Sequence, residues 1–393
     1  MCGICLVRGV ATAVLLASAA SPVLGQPTGA VTLEFPLQST TVLDAPTETA
    51  SLVSGSGSFG QRFAEGQGRV FYDVSLDQYG TVAPFGTHLH NAGGVYTFEL
   101  GEWRVSPGAA GFWRVNSGAW TDTGFRGFNL QSTVERTLGS GTVTGAYNVF
   151  RRGFPAMAAL SHLEHYGYVR SATSFQTRTT IVGSIGAGWK RYDGEAVEAV
   201  DLVPAPLAAR ESRGGGARAA ALEPAVADGS IRQPAVRTLW VWSARIAQSL
   251  DDRTGVWVER EERRPGGDPP PTVVWTPPLF YDDGVYDDPY VVEAFTWRGG
   301  GRHVFARGDE VAVWIDSSER RFAPVDLSGT SDAVLHRADR RFRTGIDAEV
   351  VVRSTRAADI LLVAGYTYYR NQSSDADETY RSHIGSAGFS VRF

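Results

Sequence analysis

The chain ends on Gly385-Ser386-Ala387-Gly388-Phe389-Ser390-Val391-Arg392-Phe393, and the alternation in that stretch narrows what the chain can fold into. Read as a strand, Gly385, Ala387, Phe389, Val391 and Phe393 share one face, and Ser386, Gly388, Ser390 and Arg392 share the other. An apolar outer face and a polar inner one are what a sheet needs when lipid lies outside it and water inside. No segment beyond the first 25 residues has the roughly 18 consecutive apolar residues of a spanning helix. Lipid is crossed only by helices or closed barrels, so the strands must close. The composition agrees: 45 Gly, 14 Tyr, 19 Phe and 10 Trp at a mean hydropathy of −0.14 fit strands with a polar lumen face and aromatic girdles.

This ending resembles the closing strand of bacterial outer-membrane β-barrels, in which a terminal Phe or Tyr after alternating hydrophobics is read by the barrel assembly machinery. The resemblance is architectural, covers roughly 68–393, and points to no particular transporter family. It implies an assembly signal at Phe389, Val391 and Phe393. It also implies outer-membrane lipid, lipopolysaccharide and the assembly machinery as partners, with the oligomeric state left open.

Residues 1–25 read as a signal peptide: Arg8 precedes the apolar run Val10 to Ala17, and small residues follow. Cleavage after Gly25 is preferred to cleavage after Ala20. Cys2 and Cys5 precede that run, so the mature chain has no cysteine, no disulfide framework and no thiolate metal site. The formal charge of −5 becomes −6 without Arg8, which argues against a nucleic-acid partner. No cofactor is indicated.

Alternation and turn signals predict an all-β, antiparallel up-and-down barrel of about fourteen strands. They lie near 68–77, 91–102, 108–117, 123–136, 141–151, 164–173, 177–190, 236–249, 254–264, 289–306, 310–320, 339–352, 357–370 and 379–393. Residues 26–67 are a periplasmic extension, a plug, or further strands; Val31, Leu33, Phe35 and Leu37 alternate and Ala50 to Phe59 forms another candidate, so sixteen is the alternative count. Short turns at Trp103–Pro107, Thr137–Ser140, Ser174–Gln176, Leu250–Arg253, Arg307–Asp309 and Arg353–Arg356 interleave with longer loops. Counting back from Phe393 puts the long loops outside. Thr179, Ile181, Gly183, Ile185, Ala187 and Trp189 should face lipid, as should Phe342, Thr344, Ile346, Ala348 and Val350. Residues 254–264 and 361–369 do not divide into faces.

Several polar groups are candidates for chemistry. Lys190, Arg245, Arg341, Arg343, Asp347 and Glu349 should line the lumen, where a mixed-sign field would screen solutes by charge and size. The same residues could instead lock a closed lumen. His162, Glu164 and His165 form one weak metal candidate and His88 with His90 another. Asp282, Asp283, Asp287 and Asp288, with Asp375, Asp377 and Glu378, could hold calcium or bridge lipopolysaccharide phosphates, although they lack the EF-hand spacing. No G-x-S-x-G elbow occurs, and Ser161 and His162 should point apart, which disfavours a hydrolase. A porin-like channel or transporter for small solutes is expected; the alternatives are a closed structural or binding barrel displaying loops, and an outer-membrane hydrolase.

Overall fold

The structure, a computed structural model, describes residues 27–34, 37–42, 45–63, 67–79, 85–117, 121, 124–156, 158, 161–193, 196–198, 230–232, 236–266, 291–322, 325–326, 334–335, 337–355, 358–374 and 379–392. Among them is one antiparallel sheet of eighteen segments, two of which continue a neighbour, leaving sixteen staves. β1 is Pro27–Glu34 with Leu37–Val42, β2 Ala45–Phe63, β3 Gly68–Tyr79, and β4 Phe85–Tyr96 with Phe98–Leu100. β5 is Trp103–Asn116, β6 Phe125–Leu138, β7 Gly141–Gly153, β8 His162–Ser174, β9 Thr179–Tyr192 and β10 Val236–Ser249. β11 is Thr254–Pro265, β12 Val291–Val304, β13 Glu310–Phe322, β14 Ala338–Ser354, β15 Asp359–Ser373 and β16 Tyr380–Arg392.

Each stave pairs with its neighbours in chain order, and β1 joins β2 to β16, with Leu33 opposite Phe389 and Leu37 opposite Gly385. The sheet therefore has no free edge. It closes on the alternative count of sixteen: β1 and β2, from the stretch 26–67, complete the fourteen staves of the alternating pattern. Two small ribbons, Ala196–Glu198 with Ser230–Arg232 and Val325–Asp326 with Val334–Leu335, lie in the long loops.

The start of β1, the end of β16 and most of the short turns lie at one end of the barrel, and the longest connections join strands at the other. Left-handed backbone closes three of the short turns on glycine, at Gly101, Gly139 and Gly308, where any other L-residue would be strained; Arg178 takes the same conformation in a fourth. The expected turn at Trp103–Pro107 is corrected. The chain reverses at Gly101–Glu102, and Pro107 sits inside β5. Proline has no N–H to give to a ladder. It is tolerated because β4 breaks beside it at Thr97, whose own N–H turns to the Gln67 carbonyl at 2.7 Å.

Curvature separates the two faces. Side chains on a convex wall splay and stay exposed, and those on the concave wall crowd one another. Ile185 is 58% exposed, whereas Lys190, five residues on and on the opposite face, is 4% exposed. Ile181, Trp189, Phe342, Ile346, Val350 and Phe389 are likewise exposed, and Asp316, Ser318, Asp339, Asn371, Ser382 and Ser390 are buried. Leu100, Leu138, Phe175, Leu250 and Phe305 make an exposed apolar fringe at the short-turn end. This is a transmembrane β-barrel: an apolar convex wall around a polar interior.

Candidate functional site: the luminal wall

β11, one of the two strands whose faces the sequence leaves undivided, becomes readable from its start. Val256 and Val258 are exposed outward, so alternation sends Trp257, Glu259, Glu261 and Arg263 inward, and the register with β10 and β12 agrees. From there a chain of opposite charges crosses five strands. Arg263 Nε donates to Glu261 Oε1 at 2.7 Å, and Arg298 Nη1 lies 3.2 Å from Glu261 and 3.5 Å from Glu259. Arg298 Nε donates to Asp316 Oδ2 at 3.2 Å, and Arg343 Nη2 reaches the same oxygen at 2.9 Å. Arg245 stands 4.0 Å from Glu259 and packs over the Trp257 ring at 4.6 Å.

The six expected lumen residues all occupy inward positions. Arg245 and Arg343 belong to this chain. Arg341 lies 3.9 Å from Asp339, which also accepts from Arg337 at 2.8 Å and from Asn371 Nδ2 at 3.3 Å. Asp347 accepts from Trp314 Nε1 at 2.9 Å, and both oxygens of Glu349 accept from Arg392 Nη2 at 2.8 Å. Lys190 lies on β9, opposite Glu164 in register, with its Nζ 5.2 Å from the Tyr192 ring.

The neighbouring wall, β5 to β9, is aromatic toward the long-loop end. Phe112 stacks on Phe150 with centroids 4.6 Å apart, and Phe125 meets Phe154 edge-on at 5.5 Å. The Arg152 guanidinium lies over Phe125 at 4.3 Å and over Phe150 at 5.0 Å. The lumen thus offers an ionic quarter and a cation–π quarter side by side.

Sequence reasoning missed Glu259, Glu261, Arg263, Arg298, Asp316 and Arg152. For β11 the signal was present in Val256 and Val258; for Arg298 and Asp316 it lay in the outward neighbours Trp297 and Ile315.

The histidine candidates separate. His162 and Glu164 face inward and His165 outward, because three steps along a strand change face, so they form no common site. His88 and His90 face outward, and His90 Nδ1 bonds the Tyr72 hydroxyl at 2.7 Å and stacks on Trp113 at 4.8 Å. Ser161 Oγ accepts from the Phe154 N–H at 2.9 Å. Among the described residues no group of three metal-ligating side chains converges. Asp282, Asp283, Asp287, Asp288, Asp375, Asp377, Glu378, Phe393 and residues 1–25 lie outside the described residues.

No protein-family model matches the chain, and no curated protein matches it. Among solved structures it is similar to OccAB1 of Acinetobacter baumannii at 12% identity and a TM-score of 0.49, over 96% of this chain and 99% of that one. It is also similar to OccK2 (OpdF) of Pseudomonas aeruginosa at 10% identity and a TM-score of 0.48, over 95% and 100%. A third is OpdK of Pseudomonas aeruginosa, solved with vanillate, at 8% identity and a TM-score of 0.47, over 94% and 99%.

Proposed function

We propose that the protein is a bacterial outer-membrane channel for small polar or charged solutes, exported by the signal at 1–25 and inserted through Phe389, Val391 and Phe393. The observation that carries this reading is the ionic wall centred on Arg298 and Asp316, inside a closed barrel of sixteen staves. Strands about 4.8 Å apart and tilted about 40° give a backbone diameter of about 30 Å, the size class that leaves an aqueous channel. A solute passing β10 to β14 meets alternating carboxylates and guanidiniums, and so experiences a field across its path that sorts it by charge and dipole. The reading gives the wall a permeation role and assigns no catalytic step.

Purified protein added to a planar lipid bilayer should produce stepwise conductance, and replacing Arg343 by Met should move the reversal potential toward cation preference. A bilayer that stays sealed while the protein is demonstrably inserted would replace the channel with the closed, loop-displaying barrel. Deleting Phe393 should lower the yield of inserted protein; normal insertion would remove the assembly signal from the reading.

A further inference from the structure

The convex wall of β7, β8 and β9 carries an ordered sequence of side chains from the long-loop end toward mid-barrel. The row nearest the loops is Arg151, Leu163 and Arg191, paired across the three strands. The next is Val149, His165 and Trp189, then Tyr147, Gly167 and Ala187, then Gly145, Val169 and Ile185. Charge gives way to aromatic rings, then to small residues, then to aliphatic ones. The small residues leave an apolar furrow of about 550 Å³, bounded by Val134, Tyr147, Val169, Ile185 and Trp240. Above it the Tyr147 hydroxyl meets His165 Nδ1 at 2.5 Å, and His165 stacks on Trp189 with centroids 4.0 Å apart. With Nδ1 engaged by the hydroxyl, Nε2 is the ring nitrogen left to meet a lipid head group.

We propose that this wall seats one phosphorylated lipid of the outer leaflet, its phosphate at Arg191, its glycerol or sugar region on the His165–Trp189 shelf, and an acyl chain in the furrow. The inference rests on the outer-membrane reading above. Three features support that occupant. The order of the rows is the order of a lipid from head to tail. Indole and imidazole rings favour the depth where the apolar core meets head groups. Arg151 is engaged by both oxygens of the loop residue Asp193, so the guanidinium that meets the phosphate is Arg191, exposed in the same row. Guanidinium groups suit phosphate because they present paired donors.

The Tyr–His pair recurs on the convex wall. Tyr72 and His90 meet at 2.7 Å on β3 and β4, and Tyr366 and His383 at 2.7 Å on β15 and β16. In the latter, Arg370 and Arg381 lie directly opposite each other one row nearer the loops. The β7–β9 wall adds to its Tyr–His pair the furrow beneath it.

The experiment compares detergent-purified protein incubated with diphosphorylated lipid A and with its dephosphorylated form, counting retained lipid by native mass spectrometry. Retention should favour the phosphorylated lipid at least tenfold, fall about tenfold in Arg191→Gln, and fall similarly in Gly145→Leu, which fills the furrow. A Cβ at Gly145 meets nothing within 4 Å, so that variant should fold; Gly183→Leu, equally open and outward but outside the furrow, is the matched control and should retain lipid. Equal retention of both lipids, indifference to both variants, or displacement of the lipid by millimolar inorganic phosphate would each overturn the seat. Bilayer conductance measured on the same preparations reports the channel reading separately: an inserted, conducting protein that retains no lipid loses only this inference.

Discussion

Arg298 is the junction of the ionic wall, and replacing it by methionine tests whether that wall acts as one energetic unit. The substitution keeps an unbranched stem of similar bulk near the backbone and removes a guanidinium that contacts Glu259, Glu261 and Asp316 at 3.5, 3.2 and 3.2 Å. Taking one partner from a buried ion pair costs about 3 to 5 kcal/mol when the other is left alone. Here none is left alone: Glu261 keeps Arg263 at 2.7 Å, Asp316 keeps Arg343 at 2.9 Å, and Glu259 keeps Arg245 at 4.0 Å. The Arg298 side chain is also one-third exposed, so solvent screens part of what it contributes. The expected loss is therefore about 1 to 2 kcal/mol. Asp316 differs. Its side chain is 6% exposed and accepts from two guanidiniums, which Asp316→Asn would leave facing each other, so about 2 to 4 kcal/mol is expected there. The assay is guanidinium unfolding of protein folded in lipid vesicles, followed by tryptophan fluorescence, for both single variants and the double. The pair should couple by at least about 1 kcal/mol, since residues in one salt-bridge network do not add. A coupling below about 0.5 kcal/mol, or a larger loss from Arg298→Met than from Asp316→Asn, would show that the wall is a set of independent contacts.

Three further outcomes follow from other parts of the barrel. A Cβ at Gly127 would collide with the Arg151 carbonyl oxygen and the Phe112 ring, so Gly127→Ala should abolish the heat-modifiable folded band on gels while Gly145→Ala keeps it. Arg260 faces outward among Trp242, Phe295 and Trp297, whose rings lie 4.9, 4.6 and 5.6 Å from its guanidinium, with Glu262 at 3.4 Å. Arg260 lies midway along β11, where a lipid-facing arginine costs about 2 to 4 kcal/mol and each ring returns about 0.5 to 1, so Arg260→Leu should raise vesicle-based stability, by up to about 2 kcal/mol; a loss of stability would show that the rings and Glu262 more than offset the cost of the charge. Asp251 accepts from Arg253 N, Thr254 N and Thr254 Oγ1 at 2.7, 2.8 and 2.9 Å, and these bonds, the Arg253 one foremost, hold its carboxyl below the usual range. A carboxyl whose folded pKa is depressed stabilises above its unfolded value of about 3.9 and loses that contribution as pH falls through the folded value. The protease resistance that separates wild type from Asp251→Ala should therefore be full at neutral pH and vanish at strong acid; a difference that grows on acidification would contradict the turn's geometry.

Where a strand separates its faces by alternation, the sequence shows its place directly, as β9, β14 and β16 do, because the convex wall takes Ile181, Ile185 and Ile346 and the concave wall takes Lys190, Arg343 and Ser390. Two features hid the rest. β1 and β2 are rich in Ser, Thr, Gly and Pro, and what makes them staves is a demand of the whole sheet: β16 and β3 each have a second edge that must be paired, and only this stretch pairs it. β11 carries charge at every position from Glu259 to Arg264, so no local alternation survives, and two valines upstream have to set the parity.

The histidines show the same point at longer range. Spacings of two and three residues suggested ligand sets, yet the contacts His90, His165 and His383 make are with tyrosines 18, 18 and 17 residues away, across an outer loop. In each hairpin the tyrosine stands opposite a small residue, Ala92, Gly167 or Gly385, which clears the diagonal its hydroxyl takes to the next histidine. A repeated tyrosine-to-histidine interval with a glycine or alanine two residues beyond the histidine is therefore the legible signal. It can be recognised only by counting along a hairpin, because the two residues become neighbours through register and not through sequence proximity.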